Sequence, residues 1–282
     1  MTDGDGFDLL ADETRASILR ELAMARRDAP RDPALSFSAL RERVGVADSG
    51  RFNYHLGELT GHLVAEGADG YELSPVGQQA ASSILAGAYS DPPDRGPVEL
   101  AESCGRCGTP FEVRYEDGVL RVECGDDHGY GDAVPPGVLE DTSLREAARV
   151  LDATIRADLT AARRDTCPAC LGALDWRFET DIPAAAPVDA AYVAVCQSCG
   201  QQLSLSPGLF VFDHPAVVAA YRDAGVDVRD QPLWTIDCCL PGAGTLVSVD
   251  PPRIDVAAGP DADCQFRLDG TGGVVHGPGR DD

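Results

Sequence analysis

The chain has 282 residues, 47 of them acidic and 23 basic, so its net charge is −24, and every cation is arginine because the sequence has no lysine. The length leaves room for two or more domains, and the acidic, lysine-free composition resembles that of proteins from salt-accumulating halophiles, whose charged surfaces keep the fold hydrated. No apolar run nears the roughly 18 residues of a membrane span, the start Met1-Thr2-Asp3-Gly4-Asp5 is acidic where a signal peptide is basic, and ten cysteines in such a chain argue for metal sites over a disulfide framework. A soluble, cytoplasmic protein with no membrane contact is expected.

The first ninety residues read as short helices followed by a hairpin. Asp12 caps a helix over about 13–26 that buries Ile18, Leu19 and Leu22 and carries Glu13 in its first turn. A loop with Pro30 and Pro33 follows, and Ser36 caps a short second helix with Phe37, Leu40 and Val44 on one side and Gly45 as its stop. Asp48 or Ser49 starts a third helix, in which Phe52, Leu56, Leu59 and Leu63 form one apolar stripe. The opposite side carries Gly50, Tyr54, Gly57 and Gly61, flanked by Arg51 and Asn53. Glycine costs roughly 1 kcal/mol per helical position relative to alanine, so three on one face suggest that a partner such as nucleic acid approaches the backbone closely. Residues 63–66 and 71–73 form a hairpin, and Ser74-Pro75 opens a fourth helix whose Val76, Ala80, Ile84 and Ala88 make a small-residue seam suited to dimer packing.

A helix, a tight turn and a second helix place the early residues of that second helix in a DNA major groove, and the hairpin beside them makes the wing of a winged helix-turn-helix. Ser49, Arg51, Asn53 and Tyr54 are then the base-facing candidates, since arginine pairs bidentately with guanine and asparagine with adenine. Tyr54, Arg41 and Arg43 are candidates for phosphate contacts. His55 lies nearer the buried edge, and packing or DNA contact is open for it. From Arg15 to Arg51 eight arginines face five acidic residues, the locally basic stretch of the chain. At molar salt the counterion-release term shrinks, so a modest basic patch suffices.

Residues 91–97, rich in proline, form a linker, and 98–282 a C-terminal region. Cys104-x-x-Cys107 with Cys124-x3-His128 predicts a zinc ribbon over about 100–135, and Cys167-x-x-Cys170 with Cys196-x-x-Cys199 predicts another over about 165–210, spaced by a loop at 181–187. Four protein ligands fill each tetrahedral site, so two structural zinc ions are expected, with no position left for substrate. A helix over about 143–163 lies between the cysteine groups, and another near 215–224 follows Asp213. Strands over 246–249, 253–256 and 264–268 make a β-rich tail whose last dozen residues fray. Cys238, Cys239 and Cys264 read as buried apolar cysteines, with a redox pair or third metal site as the alternative. There is no glycine-rich phosphate loop, nucleophile elbow or His-Glu-x-x-His, and the expectation is a protein without catalytic residues.

Leu10-Ala11-Asp12-Glu13-Thr14-Arg15 leading into Ile18-Leu19, Phe52-Asn53-Tyr54-His55-Leu56 with Leu59, and Leu73-Ser74-Pro75-Val76-Gly77 resemble ArsR-type winged-helix regulators over about residues 7–88. The C-terminal part, with Asp213-His214-Pro215-Ala216-Val217-Val218 and Pro232-Leu233-Trp234, is similar to the paired-cysteine extension of a group of haloarchaeal regulators. The resemblance implies an α+β protein that binds double-stranded DNA as a homodimer on a palindromic operator, typically as a repressor. It does not imply metal sensing, because no cysteine precedes Cys104. A general factor resembling archaeal transcription factor E, which contacts the transcription machinery, and a winged-helix interaction scaffold are the alternatives.

Overall fold

A computed structural model describes residues 9–90, 93–182 and 188–279, which leaves the acidic start, the first two linker residues and most of the 181–187 loop outside the described residues. The chain is α+β, with six α-helices and thirteen strands among the described residues. It divides into two units, Met1–Asp91 with Pro135–Asp141, and Pro92–Val134 with Thr142–Asp282. The stretch 135–141, expected within the C-terminal region, thus groups with the first unit. The Gly137 N–H donates to Ala86 O at 2.9 Å, which secures that return.

In the first unit each helix begins where a side chain satisfies its orphan N–H groups. Asp12 Oδ1 accepts from Thr14 N and Arg15 N at 2.9 and 3.1 Å and opens α1 (Glu13–Asp28). Ser36 opens α2 (Phe37–Val44), and Gly45, at φ 76°, closes it in the left-handed conformation. Asp48, accepting from Gly50 N and Arg51 N at 2.8 and 3.1 Å, is the cap of α3 (Ser49–Leu59). β1 (Val64–Gly67) pairs antiparallel with β2 (Gly70–Leu73), and Ser74 caps α4 (Pro75–Leu85). Ile18, Leu19, Leu22, Leu40, Phe52 and Leu56 are among the side chains of one shared core.

Two expectations for this unit change. α3 stops at Leu59, and Gly61 adopts φ 84° in the turn that follows. Leu63 therefore reaches the core from that turn, and Gly61 leaves the helix face, so two glycines, Gly50 and Gly57, remain on it. On α4, Ala80 and Ile84 pack against the unit's own core and Ala88 lies past the helix end, whereas Val76 is 61% exposed. The seam expected for a dimer is thus largely spent internally.

The second unit contains three antiparallel meanders. β3 (Arg95–Ser103), β4 (Pro110–Glu116), β5 (Val119–Glu123) and β6 (Gly129–Ala133) form the first sheet in sequence order. α5 (Leu144–Ala162), the helix expected over about 143–163, is opened by a Ser143/Glu146 capping box, buries Ala148, Leu151, Ile155 and Leu159 and lies on that sheet. β7 (Leu174–Ile182), β8 (Val188–Cys196) and β9 (Gln202–Leu205) form the second sheet. α6 (Pro215–Asp223) follows, capped by His214 Nδ1, which accepts from Ala216 N at 3.3 Å. β10 (Thr245–Val249), β11 (Pro252–Ala258), β12 (Cys264–Asp269) and β13 (Val274–His276) complete the third. β13 corrects the expectation of a frayed end, because Leu268 and Arg267 of β12 pair with Val274 and His276.

No described helix is long and apolar enough to cross a membrane.

Two glycines give opposite expectations. A Cβ at Gly77 would lie 1.8 Å from Leu63 O, a backbone atom that cannot swing aside. Gly77→Ala is expected to cost about 1–3 kcal/mol or more by forcing helix and turn apart. At Gly57 a Cβ meets nothing within 4 Å, and Gly57→Ala is expected to stabilise by roughly 0.5–1 kcal/mol through helix propensity. Denaturant midpoints at constant m-value read both.

Candidate functional site

Four turns of the second unit carry eight metal-ligating side chains. Cys104 follows β3, its N–H donating to Thr109 O at 2.9 Å while Gly108 N donates back to Cys104 O at 2.8 Å, so the chain folds into a knuckle with Cys107 beside Cys104. The β5–β6 turn is closed by Cys124 N to His128 O at 3.1 Å and brings His128 against Cys124. The Cys104 and Cys124 sulfurs each lie 3.5 Å from His128 Nδ1, and Cys107 Sγ is 3.4 Å from Cys124 Sγ. All four donor atoms lie within 4.8 Å of one another.

The second group repeats this construction with four thiols. Leu171 N donates to Cys167 O at 2.9 Å and Gly200 N to Cys196 O at 3.1 Å, two knuckles of the same form at the start of β7 and between β8 and β9. Cys167 Sγ is 3.8 Å from Cys199 Sγ and Cys170 Sγ 3.4 Å from Cys196 Sγ. A tetrahedral ion with bonds of about 2.3 Å to sulfur and 2.0–2.1 Å to nitrogen requires donor separations of about 3.5–3.8 Å. Both groups meet that spacing closely enough to hold a metal ion, and three or four thiolates, with or without an imidazole, are compatible with structural zinc.

In each group the thiols are electrostatically unequal. The Thr109 hydroxyl, 3.0 Å from Cys107 Sγ, and the Thr109 N–H pull the Cys107 thiol down to about 6, and the N–H groups of Cys199 and Ser198 do the same for Cys196. Burial pushes Cys104 up to about 11. At Cys170 the Gly172 N–H works to lower the thiol, but the sulfurs of Cys199 and Cys196 outweigh it and push it up to about 12.

A family described as a domain of unknown function (DUF7351) matches residues 101–274, a span that contains both groups. The chain belongs to this family. A second domain of unknown function (DUF7347) matches residues 4–84. No curated protein matches the chain, and no solved structure does.

Within the DUF7351 span, Cys238, Cys239 and Cys264 are buried and join neither metal-ligating group. Burial raises the thiols of Cys239 and Cys264, which keeps them protonated. Thr109 and Arg106 were not legible as site residues. Arg106 extends from the first knuckle to donate to Pro241 O at 2.5 Å and Gly242 O at 3.2 Å, 136 residues away along the chain for the second bond, and no local pattern announces such a contact.

Outside that span, α3 presents Ser49, Arg51, Asn53 and Tyr54 to solvent, and Arg43 of α2 is exposed with Arg41 half-buried. Of the two roles left open for His55, the structure shows packing: it is 8% exposed, its Nδ1 lies 3.3 Å from Asp12 Oδ1, and its ring meets the edge of Tyr54 at 5.3 Å. Burial works to raise the Asp12 carboxyl, but the Arg15 N–H, the nearby His55 and the Thr14 N–H outweigh it and hold the group below the usual carboxylate range.

Metal analysis of the purified chain is expected to give two ions per chain, falling to one in Cys107→Ser or Cys196→Ser. Loading also expels the protons that Cys104 and Cys170 hold at neutral pH, so binding favours the deprotonated ligands and metal affinity falls as pH falls. Competition titrations with a chromogenic chelator across pH 6–8, a window spanning the roughly neutral range in which zinc thiolate sites titrate, measure the slope.

Proposed function

We propose that the chain is a sequence-specific DNA-binding transcriptional regulator, a dimeric repressor of the ArsR-like kind, with a winged helix-turn-helix in its first unit and two structural zinc ions in ribbon-like knuckles of its second. The observation that carries the reading is the division of α3 into two faces. Phe52, Leu56 and Leu59 are locked into the core while Ser49, Arg51, Asn53 and Tyr54 stand exposed at its N-terminal half. A helix held rigidly by one face and bearing arginine and asparagine on the other suits the major groove. The β1–β2 hairpin supplies a wing, and Arg43 and Arg41 sit on the preceding helix where phosphates would run.

The dimer is taken from the ArsR-like resemblance, and Val76 on α4, 61% exposed, is the member of the expected seam that a second copy could cover. The charge of −24 suits a cytoplasm of high salt, in which base contacts and DNA shape carry more of the affinity than phosphate neutralisation does. Each zinc centre would take four protein ligands, which suits a structural role for the metal.

Arg51→Ala combined with Asn53→Ala is expected to weaken operator binding by more than about tenfold, since each bidentate base contact contributes roughly 1–3 kcal/mol of discrimination. Its thermal melt is expected to match wild type, because both side chains are exposed. Genome-wide crosslinked occupancy in high-salt cells is expected to show a few sharp peaks sharing an inverted repeat. Signal at most active promoters would replace this reading with a general factor, and unchanged affinity of the double variant would remove the groove assignment.

A further inference from the structure

Cys238 and Cys239 are 6% and 0% exposed and belong to neither metal-ligating group. The segment that carries them lies between β9 and β10 and is part of no sheet. Its backbone bonds are short in range: Cys239 N donates to Ile236 O at 2.8 Å, Leu240 N to Asp237 O at 3.3 Å and Ala243 N to Leu240 O at 3.1 Å. Bonds that close only such turns do little to hold a segment against the rest of a fold. The contacts that keep the two thiols buried therefore come from other parts of the unit.

Several of those contacts start in the first metal-ligating group. Arg106, between the ligands Cys104 and Cys107, donates to Pro241 O at 2.5 Å and to Gly242 O at 3.2 Å. Its neighbour Gly105 meets the Asp237 carboxylate so closely that a Cβ there would stand 2.3 Å from Oδ1. Tyr130, two residues after His128, donates its hydroxyl hydrogen to Cys239 O, an acceptor shared with the Ser206 hydroxyl. Gly208 backs onto Cys238 O, so the segment has one neighbour in 206–210 and another in the first group. Pro168, Ala169, Gln197 and Ser198, the intervening residues of the second group's knuckles, make no hydrogen bond to 237–242 among the described residues.

We propose that the first metal-ligating group is a lock on the Cys238–Cys239 pair: an ion bound there holds the pair buried and unreactive, and its loss opens the pair as a modification site for thiol-directed electrophiles. An ion would tie Cys104 to Cys107 across Gly105 and Arg106 and join that turn to Cys124 and His128. Its binding free energy then acts as folding free energy on the two pieces of chain that grip 237–242. Without it, four donors within 4.8 Å share no partner, and the knuckle and the β5–β6 turn are free to part. Arg106 and Tyr130 move with them and release three carbonyls of the segment. Burial is what raises the Cys239 thiol, so opening brings it back toward the range of an exposed cysteine and supplies the reactive thiolate. This inference rests on the metal reading of the first group and not on the DNA-binding one.

The test uses the full chain, N-ethylmaleimide as the probe, and mass mapping of adducts residue by residue alongside metal content. Each reacting sulfur bonds one carbon of the maleimide double bond while its proton passes through water to the other. In the wild-type chain with two ions, Cys238 and Cys239 are expected to label slowly. Cys107→Ser, which removes the first ion, is expected to raise their rate at least about tenfold, as an easier local opening would. Cys196→Ser, which removes the second, is expected to leave the wild-type rate. Arg106→Ala combined with Tyr130→Phe keeps every ligand, and is expected to retain two ions and still label faster. Cys264, 8% exposed in β12, is expected to stay protected in all of them. A wild-type chain whose first group holds no ion removes the metal reading and the lock together. With the ion present, equal rates in wild type and Cys107→Ser, the same rise in Cys196→Ser, a wild-type rate in the Arg106→Ala, Tyr130→Phe chain, or Cys264 opening in step with the pair would each overturn the lock alone.

Discussion

Convergence of four ionisable donors within 4.8 Å, twice in one unit, is the constraint on which the second unit depends. Thiolates that close repel one another unless a cation sits among them. The sheets make the convergence possible: a meander returns the chain to the same end after every second strand, so the turns after β3 and β5 lie side by side. The β4–β5 register, with Val113 opposite Val122 and Glu112 opposite Glu123, determines how far Cys124 stands from Cys104 and Cys107. A slip of one residue would turn Phe111, Val113 and Tyr115 out of the core and carry Cys124 out of reach.

Arginine does work between the sheets that lysine could not duplicate. On α5, Arg149, Arg156 and Arg163 recur every seven residues and so lie near one line along the helix. Arg156 and Arg163 place their guanidinium planes 5.3 and 5.4 Å from the Phe212 ring, and Arg149 lies 5.9 Å from Trp234. Arg163 also donates to both carboxylate oxygens of Asp213 at 2.9 and 2.8 Å, and Arg156 to Asp152 Oδ2 at 2.9 Å. A planar cation can stack on a ring and donate to oxygens in its own plane at once, whereas an ammonium offers only a point charge. Asp152 then accepts from Leu233 N at 2.7 Å, so the arginine row fastens the irregular segment between β9 and β10 to the helix that backs the first sheet.

Local signals were legible in the sequence and long-range ones were not. Asp12, Ser36, Ser74 and Gly45 mark helix ends through their own backbone chemistry, and the cysteine pairs mark knuckles, so each could be read from a few neighbouring residues. The helix-period stripe through Phe52, Leu56 and Leu59 also continued arithmetically to Leu63, and period alone does not reveal that Gly61 breaks the helix first. Nothing local shows that Arg163, 50 residues before Asp213, takes that carboxylate while His214 caps α6. His55 was ambiguous for the same reason, since only the fold brings Asp12 to its Nδ1. The return of 135–141 to the first unit depends on one backbone bond to Ala86, invisible to composition.

Charge in this chain is informative mainly where it is missing. With 47 acidic residues in the chain, an acidic cluster by itself says little about any site. Uncharged exposed ground is costly in such a composition: it forgoes the hydration and mutual repulsion that keep a highly acidic protein soluble and apart from its neighbours. The stretches 166–174 and 190–212 carry no charge, but most of 190–196 and 206–212 is buried, so the lack of charge there belongs to the core, and Arg164, Asp165 and Asp175 stand exposed beside the second group. The two groups share one kind of knuckle and are held by different contacts. The first is held by Arg106 against its own chain, and its surface answers to folding. At the second, Leu171 takes the left-handed conformation that Gly108 and Gly200 take in the sister turns, and the same return of its N–H to the first cysteine's carbonyl closes the knuckle.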